Sequence, residues 1–302
     1  MAWGLHTYDD GARREDLMDV IGDVSPDETP LVTLFGTSTA DQTYHQWLTY
    51  SVDRPTSNSI SIEGADASYA DLTQPSRTGN ITQIITKPIQ VSRTERRVNV
   101  AGMSDPYAFQ KAEGLRALKL QMEWSILNST AASGASGVAR AMTGVDAFIT
   151  SVVTARNSGT SFSEKELNDM ANDAWTAVNA DKVFDTVLCT MKIKQAIAGF
   201  GGNSTRYMDA SERRLIKDIL VYTSSAGEHK VLPHRDVRAT SGTVTVYGLR
   251  EDMHKVAYLD KPMFEELAKV GDSDRGQWVT ELTVEVINEG ADLKRTGYAI
   301  EG

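Results

Sequence analysis

The sequence predicts an α+β fold, and three observations carry that expectation. Strand-like and helix-like runs follow one another in mixed order, without the regular β-α alternation of a parallel sheet. One excursion, residues 44–100, is long, polar and alternating. A strongly capped helix, residues 105–128, follows it directly.

Taken in order, residues 1–40 read as an arm. Residues 16–21 suit a helical turn, and Pro26 and Pro30 break it, because proline lacks an amide hydrogen and restricts its predecessor. Leu31, Val32, Leu34 and Phe35 then form a short apolar plug. Leu31, Leu34 and Phe35 are its contact residues, docking on a partner or on the chain's own core.

The excursion occupies residues 41–103. Tyr44, Leu48, Tyr50 and Val52 fall on one face and His45, Trp47, Thr49 and Ser51 on the other, which is the period of a strand. Ile60 and Ile62 continue the run. The return run holds Ile81, Ile84, Ile85, Ile89, Val91, Val98 and Val100. Pro88 within it cannot donate to a ladder, so an edge strand or a bulge is expected there. Between the runs lies the acidic, small-residue segment Glu63, Gly64, Ala65, Asp66, Ala67. A hairpin alone is marginally stable in water, so its apolar faces, including residues 81–91, are expected to find cover on a neighbouring molecule. Fully extended, residues 44–62 would reach about 60 Å.

Asp105 suits a helix N-cap and Pro106 the first helical position. Ala108, Ala112, Leu115, Leu118, Met122 and Ile126 form one stripe, widened by Trp124 and Leu127, in a rod of roughly 36 Å. Glu113 with Arg116, and Lys119 with Glu123, are expected surface pairs. Gly114 is the weak point. Residues 130–137 form a small-residue linker. Beyond it, Ser163 and Glu166 make a capping box for a helix with Leu167, Met170, Ala171, Ala174, Trp175 and Val178. Residues 184–188 read as a buried strand, and 191–200 as a helix stopped by Gly201 and Gly202. Further strands are expected at 215–222, 228–232, 243–247, 255–259 and 278–287.

Composition narrows the function. The chain has 302 residues, 40% hydrophobic and 24% charged, with a net charge of −10. Mean hydropathy is −0.32 and no long apolar run suits a membrane span. The first residues lack a basic stretch followed by an apolar one, so no signal peptide is expected. Cys189 is the single cysteine, which rules out an internal disulfide and fits a reducing site of synthesis. Non-specific DNA binding needs a basic patch or tail, and none is visible.

Catalytic patterns are missing. None of the five histidines, His6, His45, His229, His234 and His254, pairs at ligand spacing or joins a cysteine, so no zinc site is read. Gly199 to Gly202 lacks the lysine and hydroxyl of a phosphate loop and ends a helix instead of opening one. The glycine spacing around Ser133 and Ser136 does not make a nucleophile elbow. Asp272 and Asp274 in a polar turn read as solvated. Arg93, Arg96 and Arg97 form a basic cluster, read as a solvated strand face or an ion-pair site between subunits.

The residues in order resemble a known family. Asp27, Thr29 and Pro30 before the apolar plug, then Trp47, then Glu63 to Ala67, recur in major head proteins of tailed bacteriophages. So do Arg77, Asn80, Thr82, Gln83 and Ile84, then Val91, Ser92 and Thr94. The helix from Asp105, residues 267–273, and Glu281, Thr283, Glu285, Val286 and Asn288 complete a resemblance spanning roughly residues 20–290. That family is similar in architecture to the HK97-type capsid fold. The resemblance implies an N-arm (1–40), an extended loop (41–103), a peripheral domain (104–150 and 265–302) with spine helix 105–128, and an axial domain (151–264). It implies a subunit interface at the loop and its base, made of Trp47, Tyr50, Glu63, Gly64, Ala65, Asp66, Arg77, Asn80, Gln83, Arg93, Arg96 and Arg97.

The function so implied is structural: a major capsid subunit that self-assembles into the icosahedral head of a tailed, double-stranded DNA phage. The alternatives are an encapsulating shell or another self-assembling phage subunit and, further off, a hydrolase. No enzyme activity, cofactor or metal is expected. Partners would be further copies in hexamers and pentamers, a portal, a scaffold or decoration protein, and packaged DNA contacted weakly at most, with no membrane. The location would be the virion capsid, after synthesis in the bacterial cytoplasm. About forty residues before the excursion are too few for a fused scaffolding domain. Lys87 carries no mark of a crosslinking residue.

Overall fold

A computed structural model describes residues 29–50, 58, 60–64, 66, 74–98, 105–177, 183–200, 221–224, 227–237, 239–240, 242–269 and 271–299. The expected turn at 16–21, Pro26, Val52, Ala65, Ala67, Val100, Val178, Gly201, Gly202 and residues 215–220 lie outside this set.

The elements run α1 (Pro30–Leu34), β1 (Gly36–Thr39), β2 (Tyr44–Thr49), β3 (Ser76–Ile81), β4 (Gln83–Ser92), α2 (Arg93–Arg97) and α3 (Pro106–Asn128). They continue with α4 (Val145–Phe148), β5 (Val153–Thr160), α5 (Glu164–Ala177), β6 (Thr186–Cys189), α6 (Met191–Gly199), β7 (Val221–Ser224), β8 (Gly227–Pro233) and β9 (Ala239–Thr240). The last are β10 (Thr243–Leu249), β11 (His254–Leu267), β12 (Ser273–Val286) and β13 (Leu293–Ala299).

One sheet has the order β1-β11-β12-β4, and α3 packs on one of its faces. Its centre is the long antiparallel hairpin β11/β12, in register from His254 opposite Val286 to Leu267 opposite Arg275. The sequence hides the length of β11 because Lys261 and Pro262 fall where the register shifts, and a proline there needs no ladder partner. Pro88 lies in β4, an edge strand of this sheet, as its missing N–H requires.

Helix α3 begins as its sequence dictates. The Asp105 carboxylate accepts the Tyr107 N–H at 2.9 Å, and Pro106 takes the first position. Leu118, Met122, Ile126 and Leu127 are fully buried against Leu31, Ile85, Leu282 and Val284. At about 1.5–3 kcal/mol per buried large aliphatic side chain, this half of the helix holds the first core together. The expected stripe is corrected at three places: Ala108, Ala112 and Trp124 are exposed. Glu123, expected as a surface partner of Lys119, is buried.

A second sheet, ordered β5-β13-β10-β6-β8-β7 with β9 paired to β10, gathers the second core under α5 and α6. Leu167, Met170, Ala171 and Ala174 of α5 face Phe184, Val187, Val246 and Tyr298. Trp175, expected on that stripe, is exposed. Ser163 caps α5 through the Glu166 N–H. The Glu166 side chain does not close the box, because Arg156, Arg295 and the Tyr298 hydroxyl draw it inward.

Candidate assembly surface

Strands β2 and β3 form a two-stranded hairpin of their own, with Tyr44 opposite Ile81 and Thr49 opposite Ser76. Its root is fixed from below. Buried Asn80 donates through Nδ2 to the carbonyls of Thr143 (3.0 Å) and Val284 (2.9 Å). Its Oδ1 accepts the N–H groups of Ile81 and Thr143, each at 2.9 Å. Thr82 donates to Glu281, which also meets Arg140. Gln83 accepts from the Ser129 hydroxyl (3.0 Å) and the Met142 N–H (3.3 Å).

The alternation of β2 then sorts its side chains. His45 and Trp47 point to the body: His45 Nε2 lies 2.6 Å from the Glu285 carboxylate, and Trp47 Nε1 donates to the Val286 carbonyl at 3.2 Å. Tyr44 and Leu48 point away and stay 51% and 68% exposed, with Arg77 of β3 exposed opposite Leu48, and Tyr50, just past the end of β2, is 57% exposed. Ile60 and Ile62 are each 83% exposed. Glu63 and Gly64 make an exposed turn, with Gly64 at φ +80°, a conformation that favours glycine. Asp66 is exposed as well. Between the hairpin and the body runs a cleft of about 710 Å³, lined by Tyr50, Thr78, Phe148, Met253, Ile287 and Glu289 among others.

This geometry corrects several expectations. Ile85, Ile89 and Val91 are buried within the chain because β4, paired with β12, joins the sheet on which α3 packs, so this face needs no neighbour to cover it. Asn80 and Gln83, expected at a subunit interface, also bond within the chain at the root of the hairpin. Arg93, Arg96 and Arg97 lie on the short helix α2, not on a strand face. Arg93 pairs with Asp272 (3.0 Å) and Arg96 with Asp274 (2.5 Å), and Lys269 reaches the same Asp274. Lys269 and then Arg96 hold the Asp274 carboxyl below the usual carboxylate range. Asp272 and Asp274 are thus tied to α2 of the same chain, while Arg97 stays exposed. Leu31 and Phe35 are buried in the chain's own first core, with Leu34 packed against it.

Sequence reasoning missed the way the arm is held. The buried Glu123 carboxylate accepts the N–H groups of Leu31 (2.7 Å) and Val32 (2.9 Å). It also accepts from Nε2 of His234 at 2.9 Å, and His234 Nδ1 accepts the Asp236 N–H. The available signal was the position of Glu123 beside Met122, Ile126 and Leu127 on the buried stripe. His229 Nδ1 donates to the Phe184 carbonyl (2.9 Å) and its Nε2 meets the Ser224 hydroxyl (2.8 Å). Among the described residues no three His, Cys, Asp or Glu side chains are arranged to hold a metal, and no helix is long and apolar enough to cross a membrane.

Comparisons with known proteins agree with this architecture. A family model described as SU10 major capsid protein matches residues 4–298. A major capsid protein of Escherichia phage Phieco32 is 26% identical over 125 residues, 41% of this chain and 36% of that protein's length. A capsid structure of cyanophage A-1(L) superposes with a TM-score of 0.66 at 14% identity, covering 96% of this chain and 98% of that one. A structure from Gordonia phage Cozz gives 0.62 at 15% identity, covering 94% and 91%. The holo-SrpI encapsulin complex from Synechococcus elongatus gives 0.60 at 12% identity, covering 96% and 94%. The fold is the HK97-type fold expected from the sequence.

Proposed function

The chain belongs to the SU10 major capsid protein family, and from that premise we propose how its surfaces build a shell. It is a structural capsid subunit of a tailed phage. Copies associate into hexamers and pentamers of an icosahedral head around double-stranded DNA. The observation that supports this most is the two-faced hairpin: one face is anchored to the body, while Tyr44 and Leu48 on the other have no cover among the described residues. A second copy supplies that cover.

Residues 1–40 act as the N-arm and 151–264 as the axial domain. The peripheral domain takes 104–150 and 265–302, and residues 83–98 at the base of the extended loop join it through β4. Trp47 sets the tilt of the loop, and Tyr50, Arg77, Glu63, Gly64, Ala65 and Asp66 meet the neighbour. Burial at about 25 cal/mol per Å² drives this contact, offset in large part by the cost of ordering two bodies. The net charge of −10 keeps contact with packaged DNA weak. A portal and a scaffold or decoration protein complete the particle, which is built in the bacterial cytoplasm.

The test is excision of residues 44–79 with a short flexible linker, which keeps the Asn80, Thr82 and Gln83 anchors. The expected product folds, melts cooperatively and forms no closed particles by electron microscopy. Closed shells from this variant would overturn the proposal. Nucleic acid inside wild-type shells supports a phage head, whereas a packaged protein would identify an encapsulating shell.

A further inference from the structure

His254 lies fully buried beneath the arm. Its ring stacks on Phe35 with centroids 4.6 Å apart and planes 13° from parallel. Nδ1 points at the Arg250 carbonyl at 2.8 Å. Nε2 lies 3.1 Å from Oδ2 of Asp292, which is equally buried. Both ring nitrogens therefore face acceptors, and only the imidazolium offers a proton to each. The Nε2–Asp292 contact is poorly aligned for a hydrogen bond, and an imidazolium at this distance would meet the carboxylate through its charge.

We infer that His254 is a proton-dependent latch on the arm. As an imidazolium it clamps Phe35, and with it the segment Pro30–Phe35, onto the core; on losing its proton it releases that segment. The deprotonated ring would turn a bare Nε2 lone pair toward a buried carboxylate and would lose the cation–π component of the Phe35 stack.

The charged groups facing the ring are Asp292, from the segment leading into β13, and Asp252, from the turn Glu251–Met253. Arg250 turns its guanidinium to Asp252 at 2.8 Å and offers His254 only its carbonyl. Burial alone would lower the ionisation of His254, but Asp292, the Arg250 carbonyl and Asp252 together outweigh it and raise it. Glu123 holds the Leu31 and Val32 amides on one side and β1 pairs with β11 from Gly36 onward on the other, so the opening is a local one centred on Phe35 between two fixed points. The latch is internal to one subunit and does not depend on the assembly proposal.

Hydrogen exchange on the full-length chain from about pH 6 to about pH 9 tests it, after correction for intrinsic exchange. Protection of residues 31–35 should fall by at least about threefold with rising pH relative to β12, the loss expected of a modest cation–π contact. His254→Gln should show the low protection at every pH, and Phe35→Leu should flatten the response while leaving the histidine in place. A flat wild-type profile, or a wild-type response in His254→Gln, would overturn the inference. Where His254→Gln fails to fold, Asp292→Asn should move the fall to lower pH, and an unmoved fall would overturn it equally.

Discussion

Gly114 lies under the indole of Trp278: a Cβ built on it would stand 3.1 Å from Trp278 Cδ1 and 3.3 Å from Ile89 Cγ2. The residue that looked like a weak point in α3 is where the helix meets the sheet. An alanine would gain up to about 1 kcal/mol of helix propensity. It would also push an indole that donates to the Lys111 carbonyl at 2.8 Å and packs edge-on against Phe264. Overpacking costs about 1–3 kcal/mol and Trp278 has little room to yield, so Gly114→Ala should destabilise by about 1 kcal/mol in chemical denaturation. A gain in stability would show that the sheet can move away.

Asn80 uses both halves of its amide on four backbone groups. Asn80→Asp keeps the acceptor but turns a carboxylate toward the carbonyls of Thr143 and Val284. The expected loss is about 2–4 kcal/mol, from two missing donors and a buried, unmatched charge. Denaturant titration should register it. An unaltered midpoint would mean that the hairpin root is held without this side chain.

Adjacent residues of β2 should separate folding from assembly. Trp47→Ala removes a half-buried indole and its bond to the Val286 carbonyl, which should cost the subunit about 1–2 kcal/mol. Leu48→Asp, on the opposite face, should leave subunit stability within about 0.5 kcal/mol, because nothing among the described residues covers it. Sedimentation should find Leu48→Asp subunits dispersed under conditions that assemble the wild type. Normal particles from Leu48→Asp would remove this face from the interface.

What could be read from the sequence follows from how local each signal is. The two faces of β2 were legible because alternation needs only neighbouring residues, and the start of α3 because Asp105 and Pro106 act within one turn. The intrachain partners of Asn80 and Gln83 were not legible, since a polar residue in a strand looks the same whether its partner is another subunit or a carbonyl 204 positions away. Glu123 and His234 are separated by 111 positions, and no periodicity joins them. Pro262 concealed the middle of β11, because a bulge that accepts proline leaves no pattern of its own.

Two buried histidines should give the stability of the subunit opposite slopes on either side of neutrality. Burial lowers the ionisation of His229, only partly countered by the Phe184 carbonyl and Asp185, so its contribution is present above the unfolded value of about 6.5 and is lost as pH falls through the folded one. His254 is raised, so its contribution is full below about 6.5 and is lost as pH climbs through its folded value. Both contributions are therefore whole together only near about pH 6.5. Melting temperatures of dispersed Leu48→Asp subunits across pH should peak there. Adding His229→Gln should flatten the acid limb and spare the alkaline one, and His254→Gln should do the reverse. If either substitution altered both limbs alike, its histidine would be acting through packing and not through its proton.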